Sequence, residues 1–262
     1  MSANRKIVMV GAGNVGTRLA TALYRKKFNI MQVYSRTMQS AKELASQVGA
    51  EAIDDLNKLD MDKYTYILAL PDDVVVSVLP RIKIKDGILV HCSGSLPMEI
   101  LQNSANKYGI IYPLISMTKG RDIDFEGVPM CVEGSELGVQ FTLSVMCKYL
   151  SKNTSIVDSE KRKILHLAAV FANNFPNYLY IIAKDILEKN NIEFDLIKPL
   201  ICETALNVNK VNPLQCQTGP AVRNDKQIIE KHLSLLSDFP EYKEFYQLFT
   251  DKIIAKDHWS ND

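Results

Sequence analysis

The feature that most constrains this chain is a strand, a glycine turn and a helix start that follow one another between residues 6 and 26. The apolar run Ile7–Val10 is typical of a buried parallel strand, and the amphipathic run after Gly16 is typical of its crossover helix. Between them lies GAGNVG, a G-x-G-x-x-G motif. In this context the motif predicts a dinucleotide site, although a glycine turn without a ligand is the alternative.

The motif also predicts what each glycine does. Gly11 would make the tight turn, Gly13 would let the backbone approach a diphosphate, and Gly16 would let the helix pack closely on the strand. The diphosphate would bind the free N–H groups at the helix N-terminus. The predicted contacts in this turn are Gly11, Gly13, Asn14, Val15 and Gly16.

The end of the second strand indicates which dinucleotide binds. Ser35, Arg36 and Thr37 stand about 20 residues past the motif, where an NAD site places an acidic residue against the ribose. A guanidinium between two hydroxyls suits a 2′-phosphate instead, so these three residues predict NADP. The alternative is that Ser35 and Thr37 cap the next helix and that Arg36 is solvated.

Composition excludes several function classes. The 262 residues include 31 Lys and Arg against 30 Asp and Glu, so a formal charge of +1 predicts neither a nucleic-acid partner nor an anionic membrane surface. No apolar stretch has the length of a membrane span and no signal core precedes the first strand, which predicts a cytoplasmic protein. The five cysteines lie far apart, so neither a structural metal nor a disulfide framework is predicted.

The order of elements predicts an α/β fold with a doubly wound parallel Rossmann sheet, followed by a smaller all-α domain. Strand-like and helix-like segments alternate up to about Asp158, and amphipathic helical patterns broken by prolines follow. We place the dinucleotide-binding domain at residues 1–157 and a helical substrate and dimerisation domain at residues 158–262. The predicted strands are 6–10, 30–35, 65–70, 87–92, 109–112, 128–133 and 154–158.

Loops that follow parallel strands are the natural ligand sites of such a sheet. Leu70 and Pro71 follow the third predicted strand, and Ser93 follows the fourth in a Ser-Gly-Ser loop. We assign all three to the cofactor, Ser93 also to catalysis, and Ser116 beyond the next strand to the substrate. Turn chemistry alone is the alternative for each of these loops.

A long helical pattern from Glu160 to Glu188 carries the other candidates. One face gathers Ile164, Leu167, Ala168, Phe171, Phe175, Leu179 and Ile182, and the opposite polar face gathers Arg162, His166, Asn173, Asn177 and Lys184. The middle of the polar face is uncharged, which suggests that the nucleotide domain covers it. Pro176 predicts a kink near Asn173 and Asn174. The alternative is that His166 and Asn173 are solvated.

The segment QTGPAVRND precedes the helix that begins near residue 226. Asn224 or Asp225 suits an N-cap, which explains those two residues without a site. Capping does not explain Thr218, Gly219 or Arg223, which we assign to the substrate site, with a purely structural turn as the alternative.

These motifs together resemble a family of Rossmann-like NADP oxidoreductases with a C-terminal helical domain of unassigned function. The similarity covers nearly the whole chain and is carried by GAGNVG, Ser35-Arg36-Thr37, Ser93-Gly94, Pro113-Leu114, the helix with His166 and Asn174, and TGPAVRND. The nucleotide half is also similar to that of deazaflavin-dependent NADP oxidoreductases, and more distantly to pyrroline-5-carboxylate reductases. The resemblance implies a nicotinamide cofactor.

This chain departs from its relatives at three places. It has Tyr112 where relatives often carry a histidine, which removes the expectation of a proton donor there, and Asn224 where many carry a glycine. Phe171 stands three residues before Asn174, where related β-hydroxyacid dehydrogenases carry a catalytic lysine. Lysine-assisted oxidation of a hydroxyacid is therefore not expected.

The leading hypothesis is an NADP-dependent oxidoreductase that moves hydride between NADP(H) and a small polar carbonyl or imine. His166 is the candidate proton donor because histidine exchanges protons near neutral pH, and Asn174 and Ser93 complete the catalytic set. The alternatives are a non-catalytic NADP-binding sensor or scaffold and a deazaflavin-dependent NADP reductase. The aromatic C-terminal segment FPEYKEFYQLF predicts a homodimer.

Overall fold

The computed structural model describes residues 5–61, 63–117 and 123–255. Their contacts divide into two compact units, one that ends at Asn174 and one that begins at Phe175. The predicted boundary after residue 157 marks the end of the last strand. The contact boundary lies later because the helix after that strand packs within the first unit.

The first unit is built on a mostly parallel sheet of eight strands in the order β3-β2-β1-β4-β5-β6-β7-β8. The strands are β1 (Lys6–Val10), β2 (Asn29–Tyr34), β3 (Glu51–Ile53), β4 (Thr65–Leu68), β5 (Ile84–His91), β6 (Ala105–Pro113), β7 (Met130–Gly134) and β8 (Thr154–Ile156). All neighbouring pairs are parallel except β6 and β7. The predicted α/β class with a doubly wound sheet is confirmed, and β3 is the strand that the sequence reading lacked.

Helices cover both faces of the sheet. They are α1 (Asn14–Arg25), α2 (Met38–Val48), α3 (Asp72–Val78), α4 (Leu137–Leu150) and α5 (Ser159–Ala169), and the first unit ends in a π-helical turn over Val170–Asn174. In β1 the side chains alternate, so that Ile7 and Met9 join one core while Val8 and Val10 join the other. The first core also takes in α1, α2 and α4, and the second takes in α3.

The second unit is helical, as predicted, with α6 (Phe175–Lys189), α7 (Lys198–Val208), α8 (Pro213–Cys216), α9 (Lys226–Leu235) and α10 (Pro240–Ile254). Among its described residues only Ala221, Ile229, Leu236 and Thr250 are buried. This unit therefore has little interior of its own. Across the described ranges, no helix combines the length and the apolar character that crossing a bilayer requires.

Candidate active site

The glycine turn after β1 has the backbone geometry that a dinucleotide site needs. Gly11 has a φ of +119°, which favours glycine, and a Cβ there would collide with the carbonyl of Ala69. A Cβ on Gly16 would collide with the carbonyl of Gly11, so α1 packs against the turn at backbone distance. Gly13 has nothing within 4 Å of where its Cβ would be, and no side chain caps α1 there. The helix N-terminus is thus open to an anionic group.

The segment after β2 places Arg36 on the surface. Arg36 and Thr37 are exposed and Ser35 is half-buried. Thr37 occupies the N-cap position of α2, but its hydroxyl contacts the hydroxyl of Ser40 at 2.9 Å and no side chain accepts from the helix backbone. Side-chain capping therefore does not account for the two hydroxyls, although Thr37 donates its hydroxyl proton to Ser40.

The other predicted cofactor loops follow β4 and β5. Leu70 is half-buried, and Pro71 is exposed and precedes α3. Ser93 is buried, and its Oγ accepts hydrogen bonds from the backbone N–H groups of Ser95 and Leu96 at 3.0 and 2.9 Å. What the Ser93 hydroxyl can still offer a ligand is its own proton.

His91 contacts the backbone of the same loop through both of its ring nitrogens. Its Nδ1 accepts from the backbone N–H of Ser93 at 3.2 Å, so its Nε2 carries the proton and faces the carbonyl of Pro97 at 3.4 Å. Burial lowers the pKa of His91 to about 4. His91 is therefore a neutral support of the loop near pH 7 and not an acid–base group.

Arg162 corrects the predicted arrangement of the helical segment. It was expected on an exposed polar face, yet it is fully buried, and Ile164, Leu167 and Phe171 of the apolar face are 68, 55 and 63% exposed. The guanidinium pairs with Glu133 at 2.6 Å and donates to the carbonyls of Ser93 and Leu96. A buried arginine is tolerated here because each of its three guanidinium nitrogens donates to an acceptor.

The same network contains Ser159 at the start of α5. Its hydroxyl donates to Glu133 at 2.7 Å and accepts from the backbone N–H of Met98 at 3.1 Å. Glu133, Ser159 and Arg162 thus join β7, α5 and the loop after β5. Sequence reasoning missed this network, because Arg162 stands between Lys161 and Lys163 and nothing in the local sequence separates it from these two charged residues.

The reversed direction of β7 explains how α5 reaches the carboxyl edge of the parallel strands. β8 runs parallel to β7 and so antiparallel to β6, and the chain leaves it toward the amino edge of the parallel strands. α5 therefore returns toward their carboxyl ends. It passes Glu133, which is opposite Ile110 in β6, before it reaches Tyr112.

His166 and Tyr112 meet at the carboxyl end of β6. The Tyr112 hydroxyl lies 2.9 Å from His166 Nδ1, and the two rings are edge-on with centroids 5.9 Å apart. Gly94 makes room for the imidazole, because a Cβ there would lie 2.6 Å from its Cγ. The loop after β5, the end of β6 and α5 thus converge on one histidine.

A cavity of about 630 Å³ lies beside this pair. Its lining includes Tyr112, Ser116, His166, Asn173 and Asn174. The structure therefore brings together four residues that the sequence assigned to catalysis or substrate, and adds Tyr112, for which no proton donation was expected. The described lining contains no lysine, arginine or carboxylate.

The π-helical turn lies where the sequence predicted a kink. Asn173 and Asn174 close this turn, directly before Phe175 and Pro176. Pro176 has no N–H for the carbonyl four residues back, which removes one α-helical hydrogen bond at this point. π-turns of this kind are frequent at functional sites, and this one supplies four residues of the cavity wall, Asn173 and Asn174 among them.

The remaining predicted substrate residues belong to the second unit. Thr218 and Arg223 are exposed, and Gly219 has a φ of +107°. Asp225 caps α9 by accepting from the N–H of Ile228, as the capping alternative proposed. In the parts of the chain that the structure describes, no three residues of metal-binding type gather into a site.

Two family models match separate parts of the chain. Residues 1–81 match the model for shikimate / quinate 5-dehydrogenase, and residues 128–253 match a model described as Domain of unknown function (DUF2520). A crystal structure of a "putative NADP oxidoreductase" from Bacteroides fragilis is 42% identical, covers 95% of this chain and 98% of its own, and superposes with a TM-score of 0.91. This chain belongs to the same family. The predicted membership of the Rossmann-type NADP oxidoreductases with a helical C-terminal domain is confirmed.

More distant matches show how widely the fold is used. A reductive aminase from Aspergillus terreus, solved with NADPH and ethyl-5-oxohexanoate, is 12% identical, covers 96% of this chain and 94% of its own, and has a TM-score of 0.75. Glutamyl-tRNA reductase from Methanothermobacter thermautotrophicus is 34% identical over 93 residues, which are 32% of this chain. The match spans only 21% of that curated relative. The first similarity shows a shared fold, and the second is limited to a segment.

Proposed function

We propose that this protein is an NADP-dependent oxidoreductase that exchanges hydride between NADP(H) and a small polar carbonyl or imine compound. The observation that carries the proposal is the histidine beside a cavity at the same sheet edge as an open glycine turn. Membership of a family of NADP oxidoreductases supports the same conclusion.

The cofactor assignment rests on backbone space and on charge. The uncapped N-terminus of α1 and the open side of Gly13 suit a diphosphate. Arg36, with no ion pair among the described residues, suits a 2′-phosphate beside the hydroxyls of Ser35 and Thr37. NADPH, when bound, supplies the hydride.

The substrate assignment rests on the cavity. His166 would exchange a proton with the substrate oxygen or nitrogen, and Ser116, Asn173 and Asn174 would orient it by hydrogen bonds. The polar side chains in the described part of the wall suit a small polar substrate. Thr218, Gly219 and Arg223 remain proposed substrate residues of the second unit.

An Arg36→Ala variant tests the cofactor assignment. Loss of a hydrogen-bonded guanidinium should weaken NADPH binding by about 1.5–3 kcal/mol, while NADH binding changes little. Calorimetric titration of NADPH and NADH into the wild-type protein and the variant measures the two changes in affinity. Arg81→Ala is the matched control, because that exposed arginine pairs with Asp55 and should leave both affinities unchanged. Equal affinity of the wild-type protein for NADH and NADPH would contradict the assignment.

We also propose a homodimer, supported by the small interior of the second unit. The aromatic C-terminal segment, which was predicted to form the dimer surface, is only partly free for this role. Tyr242 donates to Asp185 at 2.6 Å and Tyr246 contacts His232 at 2.8 Å, so part of the segment packs inside this unit. Large apolar side chains elsewhere stay exposed, as at Leu196, Leu200 and Leu235. Burying such side chains against a second copy would complete the core.

Light scattering at micromolar concentration should therefore give about twice the chain mass of 29.5 kDa. A Leu200→Asp variant, which places a charge on the exposed surface of α7, should shift the protein toward the monomer. A wild-type particle of the single-chain mass would refute the dimer.

A further inference from the structure

The contact between Tyr112 and His166 divides the imidazole into two unlike sides. Nδ1 faces the Tyr112 hydroxyl at 2.9 Å, and this edge of the ring also lies over Gly94. Nε2 makes no hydrogen bond with a described residue, and His166 lines the cavity. One nitrogen is therefore held by the protein and the other is left for a ligand.

A tyrosine hydroxyl is an unusual partner for such a histidine. In a catalytic triad a carboxylate, which can only accept, fixes the proton on Nδ1. Tyr112 can both donate and accept, and burial raises the pKa of its hydroxyl, so that it stays neutral. Arg162, one turn earlier in α5, lowers the pKa of Tyr112 only in part, and its own charge is paired with Glu133. Cys131, opposite Tyr112 in β7, is buried, which raises its thiol pKa.

We propose that Tyr112 is a positioning residue whose oxygen accepts a hydrogen bond from the Nδ1–H group of neutral His166, so that the lone pair of Nε2 faces the cavity. Gly94 is part of this arrangement, because any side chain there would push the ring away from Tyr112. The 2.9 Å separation fits either direction of this hydrogen bond, but only a Tyr112 oxygen that accepts can keep the bond when His166 is protonated, because both ring nitrogens then carry hydrogen. The use of this tautomer in catalysis rests on the proposed function.

The assignment fixes the path of the proton. In reduction, protonated His166 gives its Nε2 proton to the oxygen or nitrogen of the substrate as the carbon of that group accepts hydride from NADPH. The products are NADP⁺ and an alcohol or amine. The imidazole keeps its proton on Nδ1, where it remains hydrogen-bonded to the Tyr112 oxygen. Water then returns a proton to Nε2. In oxidation the same lone pair accepts the proton.

Nitrogen NMR of the imidazole rings tests the tautomer without any substrate. Protein labelled with ¹⁵N-histidine is measured at about pH 9, where an ordinary imidazole is neutral, and His166 is assigned with a His166→Gln variant. The wild-type ring should carry its proton on Nδ1. In Tyr112→Phe, which keeps the ring but removes the oxygen, the proton should move predominantly to Nε2.

The second histidine–tyrosine pair of the chain provides the matched control. His232 Nδ1 lies 2.8 Å from the Tyr246 hydroxyl, with the rings also edge-on. Tyr246→Phe should alter the His232 signals and leave those of His166 unchanged. A wild-type His166 with its proton on Nε2, or a tautomer that Tyr112→Phe does not change, would overturn the proposal.

Once a substrate is found, activity separates positioning from a purely structural role. Tyr112→Phe should lower kcat about 10–100-fold with little change in KM, as expected when the partner that orients an imidazole is lost. An unchanged kcat would overturn the positioning role in catalysis. If no substrate is turned over by the wild-type protein while the tautomer result holds, the proposed function fails and the assignment of Tyr112 to Nδ1 stands.

Discussion

A leucine in place of Arg162 should lower the free energy of unfolding of the first unit by about 3–5 kcal/mol, the range for breaking a buried ion pair from one side. Glu133 would keep a charge that is only 13% exposed, and the carbonyls of Ser93 and Leu96 would lose their donors. Urea unfolding, monitored by far-ultraviolet circular dichroism, measures the loss of stability.

Two further variants interpret that result. Lys161→Leu, one residue earlier, removes an exposed ion pair with Asp158 and should change stability by at most about 1 kcal/mol. The double replacement of Arg162 and Glu133 by leucine should recover much of the loss, because no buried charge then remains unpaired. If Arg162→Leu lowers the free energy of unfolding by no more than Lys161→Leu does, the ion pair of Arg162 and Glu133 does not stabilise the loop after β5.

His166→Ala should lower turnover by about 10²–10⁴-fold, the usual contribution of a general acid–base group, while the affinity for NADPH stays unchanged. The reason is that His166 lies at the cavity and not in the glycine turn that the cofactor diphosphate would occupy. A panel of small keto acids, aldehydes and cyclic imines, assayed with NADPH oxidation as the signal, would first supply a substrate.

The panel also separates an enzyme from a cofactor-binding sensor, which would turn over none of these compounds. His232→Ala is the control, because it removes a histidine with a similar tyrosine partner from the second unit. If His166→Ala keeps full activity on a substrate that the wild-type protein reduces, another group supplies the proton.

The sheet could be predicted from local patterns because its strands are short apolar runs between clear turns. β1 shows this well, since each of its last four residues is buried and the glycine turn follows at once. β3 escaped prediction because two of its three residues, Glu51 and Ala52, are uncommon in strands, whereas the equally short β8 contains Thr154 and Ile156. The direction of β7 could not be read either, because strand direction depends on the path of the connections and not on the strand sequence.

The helical segment shows where periodicity fails. A helical projection separates apolar from polar residues, but it does not say which side meets the rest of the protein. Here Arg162 is buried because Glu133 and two carbonyls, all distant in sequence, accept hydrogen bonds from its guanidinium. The apolar side stays exposed in the single chain, as Ile164 illustrates. A single sequence contains no record of those distant acceptors.

Tyr112 was undervalued for a related reason. It was judged by comparison with relatives that carry a histidine at this place, whereas its chemistry here comes from a residue 54 positions later in the chain. His166, Asn173 and Asn174 were found because helical spacing places them near one another, and Ser116 because it follows a strand. The partner of an acid–base group can be found from sequence only when both lie on one element.

The two outer strands of the sheet are its shortest, with three residues each in β3 and β8. An exposed strand edge offers unpaired N–H and C=O groups to other chains, and its length sets how firmly another strand can add to it. Edges this short present few such groups, although the sheet between them is eight strands wide. We therefore expect the chain to resist edge-to-edge aggregation, so that self-association would involve helical surfaces rather than a continued sheet.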